Sequence, residues 1–191
     1  MATRIEKDFN FQTAVHFEDK FCLNVYETTI SLLIETENPY EQNVAMDRVI
    51  HFLQGVIQGS ILIDKTQKAA IKKYKAAGLK VCELPDEPYD QVVAMVVLLK
   101  LNAIMENRLR VSDILLSSIL GGEVRYSIVA EVAENHLSEN NWWNDSTVSL
   151  NNEEVEEDKK DNVLKLFDDS HWVDLGLSWK EKESYAWQPD L

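Results

Sequence analysis

Apolar and polar residues alternate at period two from Phe9 to Phe17 (FNFQTAVHF), which predicts a strand with Phe9, Phe11, Thr13, Val15 and Phe17 on one face. A charged break, Glu18-Asp19-Lys20, precedes a β-rich run from Phe21 to Glu35, and the two runs predict a hairpin. The SLLIE piece of the second run would also suit the start of a helix. Asn38-Pro39 is a breaker, and behind it Val44, Met46, Val49, Ile50, Leu53, Val56 and Ile57 recur near helical spacing. An amphipathic helix over about 40–58 is expected, ending at Gly59.

The short apolar run Ser60–Asp64 predicts a buried strand. Asp64 is placed to cap the next helix, with Gln67 three residues on in a capping-box arrangement. That helix ends at Gly78, and LKVCEL begins another strand, so a βαβ unit is expected. After Pro85 and Pro88, the stretch from Tyr89 to about Asn107 is apolar on nearly every side until Lys100, as suits a helix in the middle of a core. Ile114–Leu120 and Glu123–Val132 flank Gly121-Gly122 and predict a further hairpin, although DILLSSIL also fits a helix. The expected architecture is α/β or α+β: one mixed sheet of five or six strands with three packing helices over 1–145. An acidic linker (146–171) and an aromatic tail (172–191) follow.

Charge sharpens that division. Of a net −14, residues 1–130 hold 14 Lys/Arg against 17 Asp/Glu, and residues 131–191 hold 5 against 16. All five tryptophans (142, 143, 172, 179, 187) lie in the acidic part, whereas a merely solvating tail is poor in aromatics. Trp142-Trp143 are expected to close the folded core. Trp172, Trp179 and Trp187, with Tyr185 and Leu175, are the candidate partner-binding residues, since Trp is the residue most enriched at binding hot spots. The acidity opposes direct contact with nucleic acid or anionic membrane. The longest apolar run, Val92 to Leu99, is too short to cross a bilayer, and the N-terminus lacks a signal-peptide pattern, so a cytoplasmic protein is expected. A homo-oligomer remains open.

The candidate chemistry is sparse. Lys65, Lys68, Lys72 and Lys75 fall on one stripe of the 65–77 helix, either a solvated face or an anion-binding surface. Its anion would be the chain's own Glu153–Asp161, a partner or a phosphate. Asp64 ends an apolar strand as phosphotransferase nucleophiles do, but the continuation Gln67-Lys68 departs from their DKTGT turn, leaving the cap role. His16, His51, His136 and His171 have no metal-binding spacing; His16 is expected on the exposed side of its strand and His51 within reach of Asp47. Cys22 and Cys82 are expected as buried thiols. Ser117-Ser118 and Gly121-Gly122 match no nucleophile-elbow or phosphate-loop pattern, and no cofactor motif is present.

The leading expectation is therefore a non-enzymatic adaptor, inhibitor or accessory factor, of phage or bacterial type, whose C-terminal segment meets a basic or apolar groove on another protein. The alternatives are a small nucleotide- or phosphate-handling enzyme using the lysine stripe, and an acidic nucleic-acid mimic.

Overall fold

A computed structural model describes residues 4–17, 20–122, 124–139 and 141–151. Strands β1 (Arg4–Phe17) and β2 (Lys20–Ile34) form a long antiparallel hairpin, in register from Arg4 opposite Leu33 to Phe17 opposite Lys20. Helix α1 (Pro39–His51) begins where Asn38 accepts the Tyr40 N–H at 3.0 Å and proline supplies a pre-set φ at the first turn. One wide π turn (Phe52–Val56) leads on to β3 (Ile61–Asp64), α2 (Lys68–Ala76) and β4 (Val81–Leu84). Helix α3 (Asp90–Met105), β5 (Leu109–Ser118), β6 (Arg125–Val129) and α4 (Ala130–His136) follow, then a 3-10 turn at Trp142–Asn144.

The fold is α+β: one mixed six-stranded sheet, in the order β4-β3-β1-β2-β5-β6, with four helices. The β1–β3 and β3–β4 pairs are parallel and the others antiparallel. Alternation along β3 and β4 divides the core. Leu62, Cys82 and Leu84 join the main cluster, whereas Ile63 and Val81 turn to the other side and pack with Ile71 of α2. Helix α2 thus covers one sheet face over the two parallel strands. Helices α1, α3 and α4 lie on the opposite face with the main core. Helix α3 buries ten of its sixteen residues there, which is why its sequence lacks a polar stripe.

Several sequence expectations are corrected by this packing. Strand β5 starts at Leu109 rather than Ile114, because the register with β2 shifts between Ser31 and Leu32. Leu109 and Val111 point inward, an extra residue intervenes, and Ile114 and Leu116 resume the inward side, so the alternation changes phase mid-strand. The final strand stops at Val129, and Ala130–His136 coil into a fourth helix whose Ala130 and Ala133 are small enough to sit close to α3. Asp64 does not cap α2. Its carboxylate accepts the Thr66 N–H at 2.8 Å in an Asx turn, and Gln67 occupies the cap position without a side-chain bond.

Trp142 and Trp143 are both buried, edge-to-face at 5.9 Å. The Trp142 indole donates to the Glu83 carbonyl at 2.8 Å. Leu150 also joins the core. Asn151 accepts the Glu83 N–H at 2.8 Å and donates to the Val81 carbonyl at 2.7 Å, pairing the outer backbone of β4. Among the described residues, no helix is long and apolar enough to cross a membrane.

Candidate functional site

Three of the four stripe lysines converge on carboxylates. Glu83 shares the α2-facing side of β4 with Val81, and Lys75 and Lys68 reach it at 3.0 and 3.4 Å. Lys65 lies 3.5 Å from Glu139. These lysines border a shallow cavity of about 340 Å³ with Asn141, Trp142 and Asn151, whereas Lys72 projects into solvent outside it. The stripe is therefore divided, three of its four lysines sharing the carboxylates of Glu83 and Glu139. Such exposed pairs are worth about 0–1 kcal/mol each.

His16 is on the side of β1 away from the main core, as expected, but it is buried rather than exposed. Helix α2 closes over it, and its Nδ1 lies 3.0 Å from the Tyr74 hydroxyl. His51 is exposed, and among the described residues no ion pair joins it to Asp47. Cys82 is buried, and burial pushes its thiol far above the ordinary range, so it stays an inert apolar group. Cys22 is exposed, contrary to expectation, and lines an open cavity at the start of α3. Trp172, Trp179, Trp187, Tyr185 and Leu175 lie outside the described residues, as does His171.

No motif along the chain points to the N-terminus of α3, where a further site lies. Asp90 opens that helix, and the Ser118 hydroxyl, at the end of β5, lies 2.9 Å from both of its carboxylate oxygens. Ser118 Oγ accepts the Gly121 N–H at 3.0 Å. Asn24 accepts the N–H of Leu120 at 3.1 Å, so the loop after β5 is pinned against both β2 and α3. Gly121 is needed there: a Cβ at that position would lie 2.3 Å from Asp90 Oδ2. Burial raises the Asp90 carboxyl above its ordinary value, opposed by the Ser118 hydrogen bond. Beside it opens a cavity of about 350 Å³, walled by Val15, Phe17, Tyr89, Leu120 and Tyr126, with Lys20 and Cys22 also in its lining.

A second feature occupies the sheet face that α2 leaves bare. Phe21, Leu23 and Val25 alternate outward along β2, opposite in sense to the inward Asn24 and Tyr26. Ile119 donates its N–H to the Val25 carbonyl at 3.1 Å and extends the row across β5. Phe21 lies 6.3 Å from the Tyr74 ring of α2, centroid to centroid. Elsewhere this face is largely polar, with Leu115 and Val129 among the exceptions: Arg4, Ser31 and Asp113 are linked across strands, and Thr29 donates to Asp8 at 2.6 Å.

Among the described residues no cluster of three or more His, Cys, Asp or Glu is placed to hold a metal ion. No protein-family model and no curated protein matches the chain. Among solved structures it is similar to an uncharacterized protein, WS1659 from Wolinella succinogenes, at 11% identity and a TM-score of 0.46, over 68% of this chain and 98% of that one.

Proposed function

We infer that the protein is a non-enzymatic interaction protein, an adaptor, inhibitor or assembly factor that grips another protein. The supporting observation is the apolar row of Phe21, Leu23, Val25 and Ile119 on a largely polar sheet face. Single exposed apolar residues are ordinary on any surface. A contiguous row with Leu23 79% and Ile119 70% exposed is the kind of patch that marks a contact surface. Its partner is a protein surface with apolar contacts ringed by basic side chains, complementary to a chain of net charge −14.

The acidic C-terminal segment bearing Trp172, Trp179 and Trp187 is the other grip in this reading, supported by its composition. Two variants separate the contributions: Leu23→Glu with Ile119→Lys, and Trp172, Trp179 and Trp187 all to Ser. Quantitative affinity capture is compared with wild type after thermal melts confirm that each variant folds. Loss of the same partner from both variants is the expected result. Undiminished recovery by both overturns the reading, and loss from the tryptophan variant alone removes the sheet face from it.

A further inference from the structure

The cavity beside Asp90 has the make-up of a ligand site rather than of a packing gap. At about 350 Å³ it falls in the size range of small-molecule pockets, and it joins mainly apolar walls to the polar side chains of Asn24, Asp90, Gln91 and Lys20. Phe17 and Tyr89 meet edge-to-face at 5.3 Å, so aromatic surface is already organised on one side. Leu120 and Tyr126 come from different elements, the β5–β6 loop and β6.

Asp90 is the group that gives this space a chemical preference. An ionised carboxylate offers about four lone-pair sites, and a serine hydroxyl brings one proton. Among the described residues, Ser118 is the hydrogen-bond donor that reaches the Asp90 oxygens. The positive end of the α3 dipole partly offsets this charge, but a full carboxylate drawn partly out of water still favours an incoming cation. Anions are disfavoured by the same charge. Lys20 also lines the cavity but is exposed, where water screens its charge. A divalent metal would call for several more oxygen ligands than one carboxylate and one hydroxyl provide. An organic ammonium needs only the carboxylate, and aromatic rings add to its binding through their faces.

We propose that this cavity binds a small primary amine with an aromatic or apolar body, its ammonium on Asp90 and its body among Phe17, Tyr89, Leu120 and Tyr126. The assignment is independent of the apolar row on the opposite sheet face.

The test titrates the full chain with 2-phenylethylamine, and in parallel with 2-phenylethanol and phenylacetate, which keep the ring and change the charge. Backbone amide shifts and calorimetry report binding. The amine shifts the amides of Asp90, Gln91 and Gly121, and the neutral and anionic analogues bind at least ~10-fold more weakly. Asp90→Asn keeps an acceptor for Ser118 and weakens the amine by a similar factor. Leu120→Trp, made at an exposed position, fills the cavity and abolishes binding without altering Asp90, so it decides the matter should the Asn variant fail to fold. Equal binding of phenylacetate, unchanged binding to either folded variant, or absence of shifts at those amides at millimolar amine overturns the proposal.

Discussion

The Lys100 ammonium donates to the Trp142 carbonyl at 2.7 Å and to the Asp145 carbonyl at 2.8 Å, and it stands 5.5 Å from the centre of the Trp142 ring. A charge from the interior of α3, with 0% of the residue exposed, thus fastens the segment that follows α4. Its stem crosses the apolar core and its head ties together two carbonyls of that segment, the Trp142 carbonyl also accepting the Asp145 N–H at 3.3 Å.

Replacing Lys100 by Met keeps the stem and removes the donor. The expected cost is about 1–2 kcal/mol, for two charge-assisted hydrogen bonds lost, the Trp142 carbonyl keeping only the longer Asp145 N–H bond. The shift should appear in the denaturant midpoint, and hydrogen exchange should quicken over residues 142–151 while α1 and β1 remain protected.

The same lysine gives a pH signature. Burial lowers the Lys100 amine from 10.5 to about 8, against the opposing pull of the Asp145 charge. Between those values the unfolded chain keeps a proton that the folded chain has released. The unfolded state therefore binds more protons, and stability contributed by this group rises with pH across the window. Unfolding free energies from pH 8 to 10.5 should climb more steeply in wild type than in Lys100→Met. Parallel curves would show that the amine is not perturbed.

Gly121→Ala drives a methyl group to 2.3 Å from Asp90 Oδ2. The loop or the carboxylate must move, at an expected cost of about 1–3 kcal/mol by analogy with overpacking. Amide shifts in the variant should concentrate at Asp90, Ser118 and Gly121, with the sheet unaffected.

The two cysteines should separate cleanly under a thiol reagent. Cys22 is exposed and Cys82 is buried, so the native protein should react at one thiol promptly and at the second only on unfolding. Prompt reaction of both, or of neither, would contradict the placement of β2 relative to α3.

Local patterning made the hairpin, the βαβ unit and the central helix readable, because each turns a period of two or 3.6 into burial directly. What it could not show were relationships made by distant segments. The β5 bulge shifts the inward phase at Ser112-Asp113 and so hides the first half of a strand. His16 has the polar-side position of an exposed residue, and only the arrival of α2 covers it. Lys100 stood out as a charge ending an apolar run, yet its carbonyl partner is 42 residues away. Asp90 and Ser118 each looked ordinary, as a helix-start acid and a strand-end serine, until β5 and α3 brought them together.

Asn151 acts as a one-residue substitute for a seventh strand, since its amide takes up the Val81 carbonyl and the Glu83 N–H on the outer side of β4. Among the described residues, no strand pairs with β6 along its outer side. Endless polymerisation by strand addition needs two receptive borders on every subunit, and here one is stoppered. Any joining of copies through β6 therefore closes at a pair and cannot propagate into a filament.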